Sequence, residues 1–218
     1  MDNYKQIKLS TKIKFKCEKC GKCCRSIEDS VMVTSYDLYR MASLIGGEPD
    51  FAIDNVMKKY LHVVLLPDSN FPCLVLNTTG EDNHCVFLSD NNECKIHEVK
   101  PKVCEIYPFQ MNIEDNLDKF EYFICFDKQH HFKHNEEVLA NDWFHTRVTK
   151  EYKEFFKLMY EYNLEIASKL LKMQGSLKDR ALELILLYQY SIYDINSPFI
   201  GQYKSNHLKL MRILRQLE

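Results

Sequence analysis

The stretch Cys17-Glu18-Lys19-Cys20-Gly21-Lys22-Cys23-Cys24 places four thiols within eight residues, in the order C-x2-C-x2-C-C. A second block carries Cys85, Cys94 and Cys104, and Cys125 follows it. Core cysteines occur singly among apolar neighbours, not four together between lysines. A disulfide framework fits poorly. The chain has nine cysteines, an odd number, over 218 residues, and Met1-Asp2-Asn3-Tyr4-Lys5 has no apolar stretch behind it to act as an export signal. The two blocks are therefore expected to fold together around a thiolate-lined metal site.

Spacing narrows the metal. Cys-x2-Cys brings two sulfurs to the bite of one ion, while intervening amides can point back at sulfur. Cys17, Cys20 and Cys23 supply three ligands from one loop and need a fourth from elsewhere, the arrangement of ferredoxin-type [4Fe–4S] loops. Structural zinc more often uses a short Cys hook on each half of the site. The second block has no such hook, so the pattern favours iron–sulfur over zinc without deciding between them. Neighbouring side chains of an extended chain point opposite ways, so Cys23 and Cys24 are expected to serve different centres. The four cysteines of the first block, with Cys85, Cys94, Cys104 and Cys125, would fill two four-thiolate sites. One cluster with the remaining thiols as redox partners is the alternative. Cys73 stands alone and reads as a buried thiol.

The histidines carry less. His130, His131 and His134 form a group with His130 and His134 at i, i+4, which on a helix could share a metal with Glu137. The plainer reading is polar surface near a turn. His84 and His97 lie close to cysteines and are second-tier candidates.

Composition sets the frame. Apolar residues make up 45% and charged residues 28%, as in a soluble globular protein. No apolar run approaches the roughly 20 residues of a membrane helix. A net charge of −2 gives no general attraction to nucleic acid or to an anionic membrane. Reduced thiols fit a cytoplasmic setting. Up to Arg25 there are eight basic residues against two acidic ones, charge that would offset metal-bound thiolates.

Along the chain, Ile7 to Lys16 comes close to alternating apolar and polar residues and predicts a short strand or extended arm entering the cluster. Thr34, with Asp37 three residues on, predicts a helix N-cap, and Gly46-Gly47 its end. Pro49-Asp50 opens a second helix. Leu61 to Leu66 has strand character, and Asn77-Thr78-Thr79-Gly80 and Ser89-Asp90-Asn91-Asn92 read as turns. The second of these would reverse the chain between Cys85 and Cys94, and Pro101 and Pro108 stiffen the backbone around Cys104. Cys125 falls in a strand-like run. From about residue 136 the pattern is helical: Tyr152, Phe155, Met159, Tyr162, Ile166, Leu170 and Met173 recur at three and four. Gly175 would cap that helix, Ser176 and Asp179 start another, and Asn196-Ser197-Pro198 precede the last. The expectation is an α+β fold, mainly helical. Residues 1–135 form an irregular cysteine-rich metal-binding region, and residues 136–218 form a helical C-terminal region packed on it.

The two-part motif resembles the family named for its CxxCxxCC signature, the YkgJ-type cysteine cluster proteins described as zinc- or iron-chelating domains. The resemblance rests on Cys17 through Cys24 and on Cys85-Val86-Phe87-Leu88, Cys94-Lys95-Ile96-His97-Glu98, Lys100-Pro101, Cys104 and Tyr107-Pro108-Phe109, and covers about residues 10–130. The family usually has tyrosine and arginine where this chain has His97 and Lys100. It commonly has one later cysteine, to which Cys125 corresponds. The resemblance implies bound iron–sulfur or zinc.

Some relatives are described as flagellin lysine N-methylases. The six glycines here form no G-x-G-x-x-G loop for a methyl donor. The radical-type C-x3-C-x2-C spacing, a P-loop, G-x-S-x-G and H-E-x-x-H are absent as well. No catalytic residue is assigned, and whether the chain is an enzyme stays open. Three functions compete: an iron–sulfur redox module with a protein partner, a zinc-stapled interaction module, and a methylase-like enzyme. The metal ligands expected are Cys17, Cys20, Cys23, Cys24, Cys85, Cys94, Cys104 and Cys125.

Overall fold

In the computed structural model, residues 4–114 and 119–217 are described. Met1-Asp2-Asn3, the start of the stretch read as lacking an export signal, lie outside them. The described chain is mixed α+β, 47% helical and 19% strand.

The N-terminal arm forms two strands, not one. β1 (Tyr4–Ile7) and β2 (Lys12–Lys14) are separated by a turn in which Thr11 N–H donates to the Lys8 carbonyl. Apolar alternation continues through this turn, so side-chain pattern alone does not reveal the break. After the cysteine loop come β3 (Met32–Val33) and α1 (Ser35–Ile45). Thr34 caps α1 in a full capping box with Asp37, and the helix stops at Gly46, as expected. Gly46 is sealed in place: a Cβ there would stand 2.5 Å from the Ala42 carbonyl and from Ala52 Cβ.

α2 (Ala52–Tyr60) leads into β4 (Leu61–Leu65) and β5 (Pro72–Leu76), which with β3 make a three-stranded antiparallel sheet in the order β3-β5-β4. Thr78 and Thr79, expected in a turn, instead form β6 (Thr78–Thr79), paired with β7 (His84–Cys85). The chain reverses between them, where Gly80 takes a φ of +73°. Ser89 to Asn92 is the turn the sequence indicates, bridged by a Leu88–Cys94 pairing.

The short helix α3 (Lys102–Ile106) carries Cys104, and β8 (Phe109–Ile113) and β9 (Phe120–Cys125) follow. β1 closes the second three-stranded sheet, order β1-β9-β8, with Tyr4 opposite Cys125. β10 (Glu137–Leu139) pairs with β2 before the chain turns helical. The helices are α4 (Ala140–Arg147), α5 (Lys150–Leu170), α6 (Gly175–Leu186) and α7 (Phe199–Leu217). Gly175 opens α6 rather than closing α5, which ends at Leu170 with Leu171 as its C-cap. α6 runs on into one π-turn at Leu187–Ser191.

The core is continuous across the two regions. Tyr36 of α1 stacks on Phe155 of α5 at 5.5 Å and meets Phe199 of α7 edge-on at 5.4 Å. Such aromatic pairs add about 0.5–1.5 kcal/mol beyond their buried area. A second cluster, built on Ile166, Leu170, Ile185, Leu210 and Leu214, joins α5, α6 and α7. Both the sharp α5 stripe and its partners are packing surfaces.

One buried network fixes α3. Asp37, already the capping residue of α1, accepts from the Lys102 amide at 2.9 Å. Burial raises the Asp37 pKa, and these hydrogen bonds oppose the rise. Lys102 in turn meets Glu105 at 2.8 Å and the Arg147 carbonyl at 2.7 Å. The helix carrying Cys104 is thereby held to α1 and α4 together. Among the described residues no helix is long and apolar enough to cross a membrane.

Candidate metal centre

Residues Lys22–Cys24 form a single 3-10 turn whose entry, Gly21, has a φ of +69°. A Cβ on Gly21 would come within 3.0 Å of Asn92 Cβ and Oδ1 and 3.2 Å of Leu88 Cδ1. Only a glycine lets the cysteine loop lie this close to the second block. The chain beyond is stitched to the same block: Ser26 N–H donates to the Asp82 carbonyl at 2.9 Å and Ile27 N–H to that of Asn83 at 3.2 Å. Arg25 reaches across as well, donating to Asp82 at 2.6 Å and to Asn92 at 3.0 Å.

This docking brings five thiols into mutual electrostatic reach: Cys23 and Cys24 from the first block, and Cys85, Cys94 and Cys104 from the second. Burial, joined by the neighbouring sulfurs, pushes Cys85, Cys94 and Cys104 upward. Cys23 goes the other way, to about 7, through the hydrogen bond it shares with Cys24, with the charges of Lys100 and Lys128 adding to the drop. Cys24, on the other side of that bond, is pushed far up. Backbone amides aim at sulfur here, those of Phe87 and Leu88 at Cys85 and that of Ile96 at Cys94. Thiolates that must stay ionised inside a protein need such donors and nearby cations. The donor set fits a thiolate-bound metal centre.

The sulfurs of Cys23 and Cys24 do not diverge as an extended chain would place them. They lie 3.9 Å apart. The division of the first block falls elsewhere. Cys20 faces His131 Nε2 at 3.2 Å and His130 Nε2 at 3.5 Å, and with Glu18 these residues bring four ligand atoms within 4.8 Å of one another. Among the described residues this is the one group of three or more histidine, cysteine or carboxylate ligand atoms closed to that degree.

The remaining sulfurs stand apart. Cys17 is exposed, within electrostatic reach of Arg147. Cys125, buried at the end of β9, pairs with Tyr4 and Asp127, and Tyr107 lies within reach of both Cys125 and Cys23. Cys73 on β5 is pushed up to about 11 by burial alone. His84 is held by Asp82 at 2.6 Å, and His97 is exposed beside Lys100.

The histidine trio does not work as an i, i+4 pair on a helix. A short 3-10 turn over Gln129–Phe132 sends the adjacent His130 and His131 to Cys20, while His134 turns to Glu18 at 2.8 Å. Nothing in the sequence marks Glu18 as a ligand, since it reads as one charge in a charged loop. The placement depends on strand pairing: Lys16 N–H donates to the His131 carbonyl at 3.1 Å and Phe15 N–H to that of Glu136.

The chain is 28% identical over 115 residues to the uncharacterized protein MJ0661 of Methanocaldococcus jannaschii, a stretch of 52% of this chain and 55% of that one. The chain thus spans about half the length of the curated relative it matches. No solved structure matches. The sequence profile described as "CxxCxxCC: Putative zinc- or iron-chelating domain" matches residues 16–138, the span that holds every thiol and imidazole of both groups. The protein belongs to this CxxCxxCC family of metal-chelating domains.

Proposed function

We propose that the protein is an iron–sulfur redox module that passes electrons to or from a protein partner, its cluster held in the group formed by Cys23, Cys24, Cys85, Cys94 and Cys104. The observation that carries this reading is the docking of the two blocks, which brings those five thiols within electrostatic reach, with amides hydrogen-bonded to Cys85 and Cys94 and the charges of Lys100 and Lys128 nearby. Four thiolates around one zinc stand about 3.8 Å apart, from a Zn–S bond of about 2.3 Å. Cys23 and Cys24 lie 3.9 Å apart, a spacing a single zinc would also accept, so the cluster reading rests on a group of more than four thiols with amides turned to sulfur.

When bound, such a cluster supplies one-electron chemistry, at a potential set by hydrogen bonds to sulfur and by solvent exposure. The chain's own share is to hold the charge. The amides of Phe87, Leu88 and Ile96 and the ammonium groups of Lys100 and Lys128 stabilise anionic sulfur, and Leu88 and Ile96 screen it from water. The exposed edge at Cys23 is where a redox partner approaches.

The test is anaerobic purification with iron and acid-labile sulfide analysis. Matching iron and sulfide, a brown chromophore and reversible reduction, all lost in Cys104→Ser, are expected. A colourless preparation whose thiolate group carries stoichiometric zinc would replace this reading with a zinc-stapled interaction module.

A further inference from the structure

Glu18, Cys20, His130 and His131 offer one carboxylate oxygen, one sulfur and two ring nitrogens, all within 4.8 Å of one another. We propose that they form a second, mononuclear site for one divalent ion of the zinc type. It is separate from the five-thiol group and does not depend on what that group holds.

The distances fit a shared ion. With Zn–S of about 2.3 Å and Zn–N of about 2.0–2.1 Å in a tetrahedron, sulfur and nitrogen should stand about 3.5 Å apart. The two Cys20 Sγ to Nε2 distances are 3.2 and 3.5 Å. The charge fits too. One thiolate and one carboxylate neutralise a divalent cation, with two neutral imidazoles completing four ligands. A borderline-soft ion accepts this mixed sulfur, nitrogen and oxygen set.

His131 is the anchor. Its side chain is 2% exposed, packed edge-on against Phe15 at 5.8 Å, and its Nδ1 is buried with no hydrogen-bond partner among the described residues. That burial fixes the ring with Nε2 turned to Cys20, where a thiol is a weak hydrogen-bond partner and a metal ion a strong one. Around the ligands, His134 orients Glu18 at 2.8 Å, and the Lys16 amide fixes the histidine turn beside the loop that carries Cys20. Such outer contacts hold ligands in register for an ion.

The two centres are separated by experiment as follows. Full-length protein is stripped anaerobically, reconstituted with iron and sulfide, then titrated with Zn2+, and zinc, iron and sulfide are counted per chain. Wild type should take up one zinc beyond any in the thiolate group. His131→Gln and, as a partly exposed second variant, His130→Gln should each weaken that zinc by tenfold or more while iron and sulfide stay unchanged. Cys104→Ser should do the reverse. Zinc-edge absorption of Cys104→Ser should show one sulfur and two imidazoles in the first shell. The proposal is overturned if both histidine variants, folded by circular dichroism, keep the zinc, or if the zinc shell is all sulfur. Missing sulfide with zinc still bound at the histidines would overturn the iron–sulfur reading and leave this one standing.

Discussion

The sulfurs of Cys23 and Cys24 lie 3.9 Å apart on one side of a single 3-10 turn. Three residues per turn rotate successive side chains by about 120°, against about 180° in a strand, so adjacent cysteines can serve one group of ligands. The pair is also polarised. Cys24 hydrogen-bonds to Cys23 and draws it to about 7, and is itself pushed up.

That asymmetry sets the chemistry of the metal-free protein. The thiolate is the reactive form, so within the five-thiol group the Cys23–Cys24 pair should be alkylated first at pH 7. Its labelling rate should rise with pH up to about 7 and level off above, while Cys85, Cys94 and Cys104 react only at higher pH. Mass-spectrometric mapping after limited iodoacetamide treatment reads this. Labelling of Cys104 ahead of Cys23 would contradict it.

Gly21 and Gly201 make a matched pair. Gly21→Ala combines a φ of +69° with contacts of 3.0 Å to Asn92, and should cost about 1–3 kcal/mol. It should also release metal from the five-thiol group, because the loop must lift off Leu88 and Asn92. Gly201, in α7 with nothing within 4 Å of an added Cβ, should gain about 0.5–1 kcal/mol on the same change. Urea denaturation of both variants checks the opposite signs.

Metal removal should loosen the structure locally. Losing the metal removes the cross-link between the two cysteine blocks, so the docking bonds from Ser26 to Asp82 and from Ile27 to Asn83 lose their support. Chelation should speed amide exchange over residues 20–27 and 82–95 and leave α5 and α7 as they were. Uniform protection in the stripped protein would refute this.

Away from the metal, His207 makes α7 sensitive to acid. Its ring stacks on Tyr162 at 3.5 Å, and its Nε2 lies 3.0 Å from Glu165. Burial lowers its pKa, helped by Arg215 and opposed by Glu165. A depressed folded pKa means its contribution is full above the ordinary value of 6.5 and is lost as pH falls through the lower folded value. Thermal stability should therefore drop below about pH 6, and His207→Gln should flatten that drop. An unchanged pH profile in the variant would rule the histidine out.

Much of this protein is written locally. Thr34 and Asp37 specify a helix start by their own hydrogen bonds, the three-and-four stripe of α5 specifies a buried face, and C-x2-C-x2-C-C specifies metal, because each signal is closed within a few residues. Which sulfur joins which partner is not local. Cys20 meets His131 across 111 positions only because Lys16 pairs with the histidine turn, and Cys23 comes within electrostatic reach of Cys104 only because Gly21 lets one loop rest on another. Asp37 announces a cap in the sequence, yet its hold on the Lys102 amide appears only once α1 and α3 are packed. Ligand type belongs to the side chain, but ligand grouping belongs to strand register and loop docking, which only the folded chain sets.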